Sequence, residues 1–219
     1  MISGDSITVS LGGRAILQSA YVDAVPGQIT VLVGRSGAGK TTLFEILVGR
    51  RWPDGGQVRW NGERVPRPSL ALLARRGLFY HPDRPWLAMS LTPADHFALL
   101  GGTPQGDGLG VTAWLDRRVG TLSGGELRLT EIALGLARAP RVALLDEPFR
   151  GLEPRHREEV AAALRLLAER GTAVLYADHD VESVRRTADR LFSMEQGATR
   201  LVEGFRERPL TEWYHAWPV

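Results

Sequence analysis

The chemistry of this chain concentrates first in Gly34-Arg35-Ser36-Gly37-Ala38-Gly39-Lys40-Thr41-Thr42, where glycine, four free positions and then Gly-Lys-Thr follow the spacing of a phosphate-binding loop. In such a loop successive backbone N–H groups face an anion at a helix N-terminus, where the aligned peptide dipoles also favour negative charge. Lys40 is the only lysine of the chain, and the basic residues counted with it are arginines. A compact ammonium on a flexible stem can reach the β- and γ-phosphates of a nucleotide. The stretch from Gly34 to Thr42 is therefore expected to bind a nucleotide polyphosphate. Val142-Ala143-Leu144-Leu145-Asp146-Glu147-Pro148 is an apolar run that delivers two carboxylates at its end. At the C-terminal edge of a parallel sheet, Asp146 can hold Mg²⁺ directly or through water, with the Thr41 hydroxyl on the same ion. Glu147 is then the general base or water-orienting group for attack on the γ-phosphate. In a third stretch, Thr121-Leu122-Ser123-Gly124-Gly125-Glu126, Ser123 fits a helix N-cap and Glu126 the capping-box position. The serine hydroxyl and the exposed N–H groups there can bind a second phosphate.

These groups need particular elements beneath them. Ile29 to Val33 is an apolar run suited to a buried strand, and Thr42 to Val48 has the apolar spacing of a helix ending near Gly49. Upstream, Ser6 to Ser10 alternates like a strand, Gly12-Gly13 is a turn, and a second strand runs from Ala15 towards Val22, which together predict a small antiparallel layer. Gln57 to Trp60, flanked by Asp54-Gly55-Gly56 and Asn61-Gly62, predicts a hairpin. Pro68 to Arg76 is expected as a short helix and Leu78-Phe79-Tyr80 as a strand. Thr92 to Leu100 predicts a helix with Pro93 in its first turn, then a glycine-rich stretch from Gly101 to Gly110 and a short helix over Val111 to Asp116. Arg141 to Asp146, Ala173 to Ala177 and Arg190 to Met194 are short apolar runs, each preceded by a helical pattern, as repeated strand and crossover-helix units require. The expected fold is α/β: a core with a mainly parallel sheet in residues 1–80 and 140–219, an N-terminal antiparallel β layer, and a small helical lobe inserted at 81–139.

The whole chain narrows the possible partners. At 219 residues it can bury a real core as one domain. A formal charge of +2 makes no case for direct binding to nucleic acid or an anionic membrane. The absence of cysteine excludes disulfides and thiolate metal sites. Met1 to Asp5 lacks a basic segment followed by an apolar core, so no secretory leader is expected, and no apolar run approaches spanning length. A membrane role has to come through a partner.

Taken in order, the three motifs resemble the ATP-binding domain of an ABC transporter, with Gly34 to Thr42 as Walker A, Leu122 to Glu126 as signature and Leu144 to Glu147 as Walker B, in a P-loop NTPase core. The resemblance covers almost the whole chain, and through it His179 in Tyr176-Ala177-Asp178-His179-Asp180 matches the switch histidine. It implies ATP and Mg²⁺ as ligands, ATP hydrolysis with Glu147, His179 and Lys40 as catalytic groups, and a head-to-tail dimer with two shared sites. Ser123, Gly124 and Gly125 would then act on the ATP of a second subunit. It further implies integral membrane permease subunits as partners and a cytoplasmic place at the inner face of the membrane. A non-transport ABC ATPase working on nucleic acid or ribosomes, and an ATP-binding regulatory module, are the competing classes. Neither a long coiled-coil insertion nor a tandem second domain favours the first, and Glu147 with His179 argues against the second.

Three positions depart from the family pattern. The family's glutamine after the strand entering the lobe is absent from Leu78-Phe79-Tyr80-His81-Pro82-Asp83, where either His81 or Asp83 takes its place. Ser6 to Leu17 has no aromatic residue to stack on adenine; Leu11 lies near the expected place, and Tyr21 is a substitute better suited to strand packing. Glu153 stands where the family normally has aspartate. The aromatic tail, Pro209 to Val219, is either packed or an exposed partner contact, and packing is the expectation.

Overall fold

The computed structural model describes residues 1–104 and 109–207, so the tail from Pro209 and part of the glycine-rich stretch lie outside the described residues. Two sheets carry the fold. Strands β1 (Ile2–Leu11) and β2 (Arg14–Ala24) reverse at Gly12-Gly13, where both residues have positive φ. The next pair, β4 (Gly55–Trp60) and β5 (Glu63–Arg64), turns at Asn61-Gly62 with φ of 51° and 84°, the left-handed pair that a two-residue hairpin needs. Both hairpins merge into one antiparallel sheet of order β2-β1-β4-β5, with Ile2 opposite Trp60. The predicted layer thus gains a second hairpin.

The larger sheet has the order β10-β9-β3-β8-β7-β6. Its members β3 (Ile29–Val33), β6 (Leu78–His81), β7 (Val142–Asp146), β8 (Ala173–Ala177) and β9 (Arg190–Glu195) pair in parallel, and β10 (Ala198–Leu201) closes one edge antiparallel to β9. β3, β7 and β8 are buried on both faces, which explains their unbroken apolar runs. The edge strand β10 is half polar and too short to stand out in the sequence.

Helices α1 (Lys40–Leu47), α2 (Leu70–Arg75), α3 (Pro93–Leu100), α4 (Gly124–Leu136), α5 (Pro154–Glu169) and α6 (Val181–Thr187) cover the sheet. The helix expected over Val111 to Asp116 is instead a single 3₁₀ turn, Val111–Trp114, entered from Gly110 at φ 68°. One turn is too short to repay α-helix nucleation. At α4, Gly135 lies so close to Phe79 that an added Cβ would meet the ring at 2.1 Å. Only glycine lets this helix cross β6.

Alternation along the strands sorts the core into two clusters. Leu32, Val142, Leu144, Leu175 and Ala177 pack with α1 and the small sheet, while Val31, Ala143, Leu145, Val174 and Tyr176 pack with α4, α5 and, from the segment between β6 and α4, Leu87, Phe97 and Val119. This alternation decides the site. Asp146 continues the face of Val142 and Leu144, towards α1. His81 is in register with Leu145 and so turns to the opposite face. No helix of the described residues is long and apolar enough to cross a membrane.

Candidate functional site

The phosphate loop leaves the C-terminal end of β3 and enters α1 directly. Gly39 is the helix N-cap at φ 109°, a backbone conformation that disfavours any side chain, and a Cβ there would also meet Leu17 at 2.8 Å. Arg35, Ser36, Gly37 and Thr41 are exposed, whereas Lys40 is buried. Its Nζ donates to the carbonyls of Gly34 at 2.6 Å and Arg35 at 3.1 Å, so the ammonium ties the loop into a ring around itself. Burial lowers the Lys40 pKa, and the charges of Glu147, Asp146 and Asp178 oppose that shift.

Those three acidic residues sit at the ends of β7 and β8, where Asp146 is in register with Ala177. Asp146 is 1% exposed, yet neither carboxylate oxygen has a hydrogen-bond partner. Burial raises its pKa from 3.8 to about 6; the Thr41 hydroxyl and Lys40 pull the other way, although the hydroxyl does not reach hydrogen-bond geometry. A buried, unpartnered carboxylate beside an exposed hydroxyl fits a hard cation. Among the described residues no cluster of three His, Cys, Asp or Glu side chains could hold a metal. The donor set therefore suits Mg²⁺, which commonly takes one or two protein ligands and completes its shell with phosphate oxygens and water.

Glu147 has φ of 50°, the left-handed region, and its N–H donates to the Ala177 carbonyl at 2.8 Å. A non-glycine residue held there costs on the order of 1 kcal/mol, a local strain that recurs at functional sites. Its carboxylate lies 3.8 Å from Nδ1 of His179 and 3.4 Å from Nη1 of Arg150. His179 is mostly exposed at the end of β8. The backbone N–H groups of His179 and Asp180 both donate to one oxygen of Asp178, while its second oxygen is buried without a partner.

The Ser123 stretch caps α4 as expected: Ser123 N–H donates to Glu126 at 2.7 Å and Glu126 N–H returns to the Ser123 hydroxyl at 3.2 Å. These bonds, with Arg117 2.7 Å away, hold the Glu126 carboxyl below its usual pKa. Ser123 and Gly124 are exposed. The N–H and hydroxyl of Ser123 bond Glu126 and its carbonyl accepts from Leu127, and among the described residues none of these hydrogen bonds runs to Lys40, Asp146 or Glu147 of the same chain.

The two alternatives for the missing glutamine separate cleanly. His81 is fully buried and faces α4, where Nε2 lies 3.3 Å from Glu131 and Nδ1 3.5 Å from Arg128. Burial pushes its pKa down against the pull of Glu131, and since a carboxylate only accepts, Nε2 is the nitrogen that donates to Glu131. Asp83 instead turns to Arg150 and raises the pKa of Asp146 through its charge. Tyr21 is partly exposed, and its ring packs against Phe192 at 5.9 Å, a packing role. Leu11 is 39% exposed at the end of β1. Glu153 precedes α5 at the N-cap without a side-chain cap bond, which Pro154 at the first position makes tolerable.

Sequence reasoning missed Arg150, Asp178 and Glu131. Glu131 had a signal: a carboxylate inside the apolar run Leu129 to Ala133 needs a partner if the helix is buried. Arg150 had none, because its partner Asp83 lies 67 positions away.

A family model described as ABC transporter matches residues 17–150. The chain is 32% identical over 210 residues to the lipopolysaccharide export system ATP-binding protein LptB of Acidithiobacillus ferridurans, covering 90% of this chain and 87% of that protein. It is 32% identical to the hemin import ATP-binding protein HmuV of Gloeobacter violaceus, over 97% and 85% of the two chains. It is 34% identical to the zinc import ATP-binding protein ZnuC of Halorhodospira halophila, over 90% and 75%. Its fold superposes on a solved ATP-binding subunit of an ABC transporter with a TM-score of 0.83 at 21% identity, over 99% and 98% of the chains. The chain belongs to the ABC transporter family, among its ATP-binding subunits.

Proposed function

We propose that this chain binds ATP with Mg²⁺ on Gly34 to Thr42, hydrolyses it in a dimer, and thereby drives a separate membrane permease. The observation that carries the proposal is the pairing of a buried ammonium, Lys40, with a buried carboxylate, Asp146, whose two oxygens accept nothing from the protein. Such groups are costly unless a ligand completes them. Lys40 would hold the β- and γ-phosphates, and Thr41 and Asp146 would hold Mg²⁺, whose charge offsets that of the phosphates when bound. Glu147 accepts the proton of the attacking water or orients it, and His179 stabilises the charge that develops on the γ-phosphate.

The exposure of Ser123 and Gly124, with no bond to the chain's own phosphate loop, supports their acting on the ATP of a second copy, together with Gly125. A two-fold pair would then enclose two nucleotides. Relatives at similar identity are named for lipopolysaccharide export, hemin import and zinc import. That spread supports a permease at the inner face of the cell membrane as the part that sets cargo and direction.

Steady-state ATPase assays on Glu147→Gln, with gel filtration in ATP and Mg²⁺, test this reading. Turnover should fall at least about a hundredfold while the dimer persists longer than in the wild type. Full activity in that variant would remove Glu147 from its role.

A further inference from the structure

Arg150 stands in the turn after β7 and joins two loops distant in sequence. Its Nη1 donates to both oxygens of Asp83, at 2.8 and 3.0 Å, and lies 3.4 Å from Oε2 of Glu147. Asp83 belongs to the segment that leads from β6 into the lobe, and α4 grips that segment at three points. Glu131 takes His81 through one oxygen and the Trp86 N–H, at 2.8 Å, through the other; Nη2 of Arg128 donates to the Asp83 carbonyl at 3.2 Å. A continuous run of polar contacts therefore leads from α4 through residues 81–86 and Arg150 to Glu147, with His179 on the far side.

We propose that Arg150 is a positioning residue for hydrolysis, which fixes the Glu147 carboxylate relative to the lobe by holding Asp83 and Glu147 with one guanidinium. The inference rests on the reading of Glu147 as the base. The Arg150 side chain is 58% exposed, so its ion pairs contribute little to folding and can exchange partners readily. All three contacts run through the one nitrogen Nη1 of an always-charged guanidinium, so a single group ties the two carboxylates together. A displacement of segment 81–86 by the lobe would thus be felt at the base through a single side chain.

The test is ATP hydrolysis by the full chain carrying Arg150→Ala, Arg150→Lys, Asp83→Asn, or Arg150→Ala with Asp83→Asn, alongside Glu147→Gln and thermal melting of each. Arg150→Ala should lower kcat about tenfold with KM for ATP within about twofold and an unchanged Tm. Arg150→Lys should fall between that variant and the wild type. Asp83→Asn should lower kcat comparably, and the double variant should be no slower than the slower single one, because both remove the same bridge. An unchanged or raised kcat in Arg150→Ala, or losses that multiply in the double variant, would overturn the inference. Failure of the underlying reading is separable: an active Glu147→Gln rejects the base, whereas an inactive Glu147→Gln beside a fully active Arg150→Ala rejects only the bridge.

Discussion

Asp146 and Glu131 are carboxylates with 1% and 2% exposure, buried on opposite sides of the same sheet, and their surroundings could hardly differ more. Glu131 is satisfied on both oxygens, by the ring of His81 and the backbone of Trp86. Asp146 is satisfied on neither. A polar group buried for architecture is given its partners by the fold, since an unpaired one costs a few kcal/mol. A polar group kept bare at the C-terminal edge of a parallel sheet, next to the phosphate loop, is open to a partner from solution, as we propose for Asp146. The same distinction separates Lys40, which holds its own loop carbonyls and still faces three acidic charges, from Arg128, which is spent on segment 81–86.

The comparison breaks most visibly at Glu131. Glu131→Ala would leave the buried His81 N–H and the part-buried Trp86 N–H unpaired, and is expected to destabilise the chain by roughly 3 kcal/mol in urea unfolding. ATP affinity in the molecules that remain folded should stay near wild type. Next comes Lys40→Ala, which removes two charge-assisted bonds to the loop and the cation for the phosphates. Titration calorimetry should show ATP binding weakened on the order of a hundredfold. Unchanged affinity would place Lys40 with the architectural groups.

Much of this contrast was legible in the chain itself. The spacing from Gly34 to Thr42 announced the loop, and the run Val142 to Asp146 announced a strand ending in carboxylates, because a strand buried on both faces leaves no alternation to obscure. The choice between His81 and Asp83 was not legible, because the two positions have the same parity; the end of β6 at His81 and its register with Leu145 separate them, turning His81 away from the nucleotide side. What stayed hidden depends on contacts between distant residues. Neither the Arg150–Asp83 pair nor the merging of β4 onto β1 has a local signature. The left-handed backbone of Glu147 was equally invisible, since nothing in Asp146-Glu147-Pro148 favours it and the Ala177 carbonyl, thirty positions on, helps hold it. The short turn at Val111–Trp114 was misjudged for a different reason, because apolar spacing alone does not say whether a helix is long enough to form.

The last of the three effects has the opposite sign to the first. The Asp146 carboxyl, raised from 3.8 to about 6, binds its proton more tightly folded than unfolded. Stability therefore falls as pH rises through that window, and above it the fold carries the full penalty of a bare buried charge, about 3 kcal/mol. Asp146→Asn removes the charge, and thermal unfolding of the wild type and this variant, with and without Mg²⁺ and ATP, tests the central claim most directly. Without ligand the variant should melt several degrees higher than the wild type at about pH 8, with little difference near pH 4. With Mg²⁺ and ATP the wild type should gain far more than the variant. A variant that melts lower without ligand, or gains as much from Mg²⁺ and ATP as the wild type, would show that Asp146 serves the fold and not the nucleotide.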